Sequence, residues 1–383
     1  MKKRITVSVS VLLGITVVLN ILAWNSEGFC DWYVDSIFPL WGPVYGLFTE
    51  LTERSVGEIM IAIAAVLLIC TAVFSLFAVI FYLLKRGKGF RRLYGRFMKV
   101  IVIIVAVESL VMTLNCFILY HCSSFRDKYL DAHHTEKNQY TVKELADLRD
   151  MVVSEANRLS EELDRDERGQ LVYGKSISEE AVRCMQRLGN SYPQLSGYYS
   201  TPKALSASNF FSQQYMEGYY FPFSMEANYN DVMYIVNKPA TMCHELAHTK
   251  GFIYEDEANF IAYLACVGSE DPFFKYSGYL SVYNYLERDF LKSIGNDEAV
   301  YRSHEKLSEL AKSDNVFLTS EAWDVVEKKA VLETEKVRKA SNTFTDSTLK
   351  INGVESGMAS YSEVVGLLLD YYRSDIGKYS QEK

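Results

Sequence analysis

The sequence predicts a mainly α-helical protein with a small β element, in which three transmembrane helices precede an extracytoplasmic domain. Three observations carry this expectation. Long uncharged or nearly uncharged apolar runs occupy the first third of the chain, helical periodicity governs most of the rest, and one aromatic-rich stretch near 218–236 has strand character.

Residues 5–24 and 59–84 contain no charge, and residues 100–120 contain one, Glu108. A bilayer core of about 30 Å needs about 20 apolar residues as helix, so each run is long enough to span. Met1 to Arg4 would make a fair positive start for a signal peptide. The apolar run is longer than such a peptide needs, and no small-x-small site follows cleanly, so a retained helix is expected. Glu108 is costly in lipid, and Asn115 or another helix is its expected partner.

Lysine and arginine set the orientation. Lys2, Lys3 and Arg4 precede the first run, and seven basic residues from Lys85 to Lys99 separate the second from the third. The segment 25–58 carries six acids against Arg54 alone. The N-terminus and the basic segment are therefore expected in the cytoplasm, with everything after Tyr120 outside a multi-pass cytoplasmic-membrane anchor, residues 1–122. The apolar stretch Phe38–Phe48 is a candidate for the membrane interface. Positions 123–383 hold 29 basic and 41 acidic residues, a net charge of −12. That balance argues against nucleic acid as a partner, because phosphate binding needs a basic surface.

Seven cysteines do not make a disulfide scaffold in 383 residues, and none forms a CxxC. A bridge between Cys243 and Cys266 is an open possibility. Residues 123–140, with His133 and His134, form an expected polar connector to a domain at 141–383.

Thr141 and Glu144 fit a capping box ahead of apolar residues at Leu145, Leu148, Val152 and Leu159, predicting a helix. A second helix is expected over 177–188, closed by Gly189 or Asn190. The run GYYFPFSMEA predicts a strand around 218–227, then a turn at Asn228–Asp231 and a strand at 232–236. Pro239 and Gly251 bracket a helix over 239–250, and 255–267 forms another. The final run SEVVGLLLDYYR is too short and too charged to span, so core packing is expected.

The first of the two bracketed helices holds CHELAH, residues 243–248. His244 and His248 stand one turn apart on one face, a geometry suited to a pair of zinc ligands. Glu245, rotated by one residue, can reach a water on the metal as general base. The alternative is an amphipathic helix whose histidines are merely exposed or hydrogen-bonded. A catalytic zinc site usually needs a third protein ligand. On the next helix Glu255, Ala258, Asn259, Ala262 and Cys266 share a face, making Glu255 the expected ligand, Glu257 the rival and Asn259 a support for a ligand histidine. Glu226, Asn228 and Asn230 on the strand segment are candidates for positions near the metal, and that segment offers an edge on which an extended peptide could pair. Tyr276 and Tyr279 are candidates to stabilise an oxyanion.

CHELAHTKGFIYEDEANFIAYLAC, with GYYFPFSMEAN before it and KYSGYL and TLKINGVESGMASYSEVVGLLL after it, resembles a family of bacterial membrane proteins catalogued as a domain of unknown function. Its members have three N-terminal spans and an HExxH domain, and the resemblance covers essentially the whole chain. It implies a zinc metallopeptidase with a zincin-like α+β domain. More distantly, HExxH followed by E-x-x-A-[DN] is similar to gluzincin peptidases. By position this implies His244, His248 and Glu255 as ligands, Glu245 as base and Asn259 as support; Asn259 stands where many such peptidases have Asp, and the link between motifs is very short. The expected function is hydrolysis of peptides or envelope proteins outside the membrane. The competing reading is a non-catalytic, metal-stabilised sensor or interaction domain held in the lipid bilayer.

Overall fold

The computed structural model describes residues 2–130, 140–352, 354 and 363–373. The connector histidines His133 and His134 lie outside the described residues. Helices α1 (Lys2–Asn25), α4 (Val56–Leu83) and α5 (Lys88–Met112) carry the apolar runs, with α2 (Glu27–Ser36) and α3 (Trp41–Thr49) between the first two. Helix α5 continues through a π turn, Thr113–Phe117, and a 3-10 turn, Leu119–His121. Three segments, Ile5–Asn25, Val56–Leu83 and Lys88–His121, are long and apolar enough to cross a membrane. Their outer faces expose side chains such as Val11, Val18, Ile63, Leu68 and Leu76, a surface matched to hydrocarbon. The segment expected as a basic loop is mostly helix, because after the turn at Lys85–Gly87 its lysines and arginines are good helix formers.

The remainder is mainly helical around a three-stranded sheet, as expected. Helices α6 (Phe125–Tyr129), α7 (Val142–Glu162) and α8 (Ile177–Leu188) come first, and the Thr141–Glu144 capping box is formed. Strand β1 (Lys203–Ala204), helix α9 (Ser208–Gln213) and strands β2 (Gly218–Phe221) and β3 (Glu226–Tyr229) follow. Then come α10 (Lys238–His248), α11 (Glu255–Val267) and α12 (Pro272–Ser293). Helices α13 to α16 (Glu298–Arg302, Glu309–Asp314, Ser320–Lys329, Thr334–Ile351) lead to α17 (Val364–Arg373). Val364, Leu367 and Leu368 of α17 are buried in the main core, where Tyr372 meets Tyr263 of α11, so this run packs rather than spans. Arg149 of α7 is wholly buried and donates to Glu287 of α12 at 2.7 Å, pinning those helices together.

The sheet departs from the expected one. Its order is β1-β3-β2, with β1 parallel and β2 antiparallel to β3, and Gly218 opposite Tyr229. The single strand expected over 218–227 is a hairpin. Pro222 cannot donate to a ladder, and Met225 has φ +51, so the chain turns at 222–225. Asn228 is therefore in a strand, not a turn. The second expected strand, 232–236, is loop followed by a 3-10 turn, Ile235–Asn237.

Glu226, a candidate for the metal site by sequence, joins the sheet to the apolar helices. It accepts from the backbone N–H groups of Val56 and Gly57 at 3.2 and 2.9 Å, at the positive N-terminal end of α4. It also accepts from Lys203 Nζ at 2.8 Å and Ser224 Oγ at 2.6 Å. Asn115, in the π turn, donates to Tyr45 Oη at 3.2 Å and to the Pro222 carbonyl at 2.8 Å rather than to Glu108. Its carbonyl accepts from Tyr220 of β2. The hairpin is thus held directly on the ends of α4 and α5.

Removing one partner of a buried ion pair leaves the other uncompensated, so Glu226→Ala should cost about 3–5 kcal/mol. Thermal unfolding of the detergent-purified protein checks this, and Glu226→Gln, which keeps an acceptor, should fall between the two.

Candidate metal centre

Helix α10 is well defined at both ends. Pro239 sits in its first turn, where no N–H is needed, and Gly251, at φ +91, turns the chain out after His248. A Cβ on Gly251 would lie 2.6 Å from Val34 Cγ2, so glycine also permits close approach of α2. The returning Phe252 packs in an aromatic cluster, its ring 5.6 Å from Phe125, which lies 5.3 Å from Phe260. Packing of Phe252 fixes its carbonyl, and that carbonyl accepts from His248 Nδ1 at 2.7 Å.

A carbonyl can only accept, so His248 carries its proton on Nδ1. His244 Nδ1 faces Asn259 Oδ1 at 2.9 Å in the same relation. Both Nε2 atoms then point at each other, 3.1 Å apart. Glu255 Oε2 lies 3.0 Å from His244 Nε2 and 3.7 Å from His248 Nε2. These three are the group among the described residues whose ligand atoms could hold a metal ion. A tetrahedron with bonds of about 2.05 Å has edges of about 3.3 Å, which the three separations bracket. Three acceptors converging at this distance need a proton or a metal cation between them. The donor set, two imidazoles and a carboxylate with supported second nitrogens, fits zinc.

Electrostatics follow from the same geometry. Burial works against a charged His244, but the hydrogen bond and charge of Glu255, with Glu245, raise its pKa to about 9. Burial acts to raise Glu255, yet its bonds to both imidazoles hold it well below the usual carboxylate range. Glu245 is pushed up to about 7 by burial, partly offset by the two histidines. Its Oε2 is buried and, among the described residues, has no hydrogen-bond partner.

Glu257, the rival ligand, points away from this cluster and accepts from the backbone N–H of Phe125. Burial, reinforced by Asp256, pushes its carboxyl up to about 8. Tyr276 and Tyr279 are also elsewhere. Tyr276 donates to buried Asp314 at 2.7 Å, within a network with Arg165 and Tyr234. Tyr279 packs against Tyr263. Asn228 donates to the carbonyls of Tyr219 and Glu226, and Asn230 donates to Ser212 and Met216, so both serve the hairpin. Cys243 and Cys266 touch at 3.9 Å as free thiols in the α10–α11 contact.

Three residues around the cluster escaped the sequence reading. Gly218 of β2 abuts Glu245, and a Cβ there would come within 2.4 Å of Glu245 Oε1. Glu217 accepts from Thr241 Oγ1 at 2.9 Å, one turn before His244 and Glu245. Tyr285 of α12 is raised to about 12 by burial and by the charges of Glu217 and Glu255, and Asn259 lies beside it. Gly278 packs on Cys266, and seven residues onward along α12 Tyr285 meets Asn259, seven back along α11. That antiparallel register is the signal that would have found Tyr285.

Substituting His244, His248 or Glu255 should abolish stoichiometric zinc in the purified protein, measured by plasma mass spectrometry. Asn259→Ala should weaken zinc about 10–100-fold against a competing chelator, and Glu257→Gln should keep full zinc without lowering thermal stability. Below about pH 9 the proton on His244 must leave when zinc binds, so apparent zinc affinity should rise as pH increases from 7 toward 9 and level off above.

Residues 33–369 match the family described as a protein of unknown function, DUF3810. No curated protein and no solved structure matches the chain. With 33–369 matched out of 383 residues, the chain belongs to the DUF3810 family.

Proposed function

We propose that this protein is a membrane-anchored, zinc-dependent hydrolase of peptide bonds whose site faces the outer side of the cytoplasmic membrane. The observation that carries this reading is the pairing of a closed three-ligand cluster with Glu245, whose Oε2 is buried and uncommitted next to it. A purely structural site has no use for that carboxylate. Zinc bound to His244, His248 and Glu255 would supply a Lewis acid for the scissile carbonyl and an acidified water.

Glu245, poised near neutrality, takes a proton from the attacking water at Oε2 and passes it to the leaving amine. Strand β2 is the edge of its sheet and its first residue touches Glu245, which supports an extended peptide pairing along Gly218–Phe221. Tyr285, kept protonated, replaces Tyr276 and Tyr279 as donor to the developing oxyanion. The basic cluster Lys85–Lys99 and the acidic 25–58 segment support the orientation. The attachment of the hairpin to α4 and α5 supports a site close to the bilayer, with peptides or envelope proteins near the membrane as its substrates.

General-base catalysis contributes about 10²–10⁴-fold, so Glu245→Gln should keep one zinc per chain and lose peptide hydrolysis by that factor. A peptide library incubated with the zinc-loaded protein and read by mass spectrometry checks this. Equal cleavage by wild type and Glu245→Gln would contradict the assignment.

A further inference from the structure

Beside the candidate metal cluster and the start of β2 stands a third carboxylate that neither metal binding nor water activation uses. Glu217 is exposed to solvent at residue level, yet the protein around it raises its carboxyl above the usual range. Thr241 Oγ1 holds Oε2 at 2.9 Å. Thr241 is three residues before His244 and four before Glu245 on one helix face, so Glu217 stands about one turn, ~5 Å, along the cleft from the reacting groups. Its charge reaches His244, Glu245 and Tyr285. Among the described residues no lysine or arginine forms an ion pair with it, and Arg288, whose charge reaches Tyr285, pairs with Asp289.

Position along the substrate path gives this carboxylate a task. Glu217 immediately precedes edge strand β2, and its backbone carbonyl is already taken by the N–H of Asn230 at 2.7 Å. With its carbonyl turned inward to β3, its side chain is placed to meet a chain that pairs along Gly218–Phe221. Glu217, Glu245 and Glu255 place three carboxyl groups beside the two imidazoles, and among the described residues no lysine or arginine forms an ion pair with any of them. The Oε2 of Glu245, buried and without a hydrogen-bond partner among the described residues, marks the neighbourhood of Gly218 as a place for a ligand rather than a solvated acidic face.

We propose that Glu217 selects substrates that carry a primary ammonium group beside the scissile bond, either the α-amino terminus or a lysine side chain. The proposal rests on the reading of the cleft as a peptide site and names the class of peptide it takes. An ammonium there would make a charge-assisted hydrogen bond to Glu217 and favour its ionised form.

Binding tests this without turnover. Full-length, zinc-loaded protein carrying Glu245→Gln is titrated into three fluorescent pentapeptides, read by anisotropy. One has a free N-terminus and neutral side chains, one is N-acetylated with lysine first, and one is N-acetylated and neutral. One ammonium probe should bind at least about tenfold more tightly than the neutral one, the size of a charge-assisted hydrogen bond, and which one it is identifies the source. Adding Glu217→Gln should erase the preference with zinc content unchanged. If that variant does not fold, Thr241→Val, which releases the same carboxylate, should reduce the preference. Equal binding of all three probes, binding of none, or a preference that survives Glu217→Gln would overturn the proposal. Hydrolysis by the wild type is scored separately, so a binding preference without cleavage would sink the hydrolase reading and leave standing the recognition of an ammonium group by Glu217.

Discussion

Two hydrogen bonds hold the candidate metal centre in shape. His248 Nδ1 donates to the Phe252 carbonyl and His244 Nδ1 to Asn259 Oδ1, which turns both Nε2 lone pairs onto the Glu255 carboxylate. Without those bonds the rings could rotate or exchange tautomers and the cluster would open. With them, three acceptor atoms are held 3.0–3.7 Å apart, a spacing that a shared proton or a bound cation would relieve. The small residues Ala258, Ala262 and Cys266 let α11 come close enough to α10 for this to happen. The aromatic cluster around Phe125 and Phe252 holds the acceptor carbonyl in place.

The same constraint reaches the apolar helices. Tyr220 of β2 lies over the His248 ring, 5.9 Å between centroids, and its hydroxyl donates to the Asn115 carbonyl in the π turn of α5. A π turn widens the helix and changes which groups its backbone presents. Here it supplies both a side-chain donor to the hairpin and a carbonyl for Tyr220. Glu226 adds the second anchor at α4. Sheet, histidine–glutamate cluster and membrane-length helices therefore form one connected structure, and the edge strand beside Glu245 has its position set by the ends of α4 and α5.

Much of this was legible in the chain, for physical reasons. Apolar runs of spanning length need no context. The juxtaposition of His244 with His248 follows from helix pitch, and Glu255 with Asn259 from the same rule applied to the next helix. Glu257 falls about 200° round that helix from Glu255, which is why it ends against Phe125. What stayed hidden depends on contacts far apart in sequence. Glu226 pairs with residues some 170 positions earlier, and nothing local distinguishes such an anchor from a site residue. Tyr285 acquires its place only from the antiparallel register of α11 and α12. The hairpin departs from the single expected strand because strand propensity runs unbroken across Pro222, whose missing N–H outweighs it.

X-ray absorption at the zinc edge, on full-length protein purified in detergent without chelators, tests the central claim most directly. The account predicts one zinc per chain with a first shell of nitrogen and oxygen at about 2.0–2.1 Å and outer-shell scattering from two imidazoles. A protein that is folded and zinc-free, or a first shell dominated by sulfur at about 2.3 Å, would contradict it.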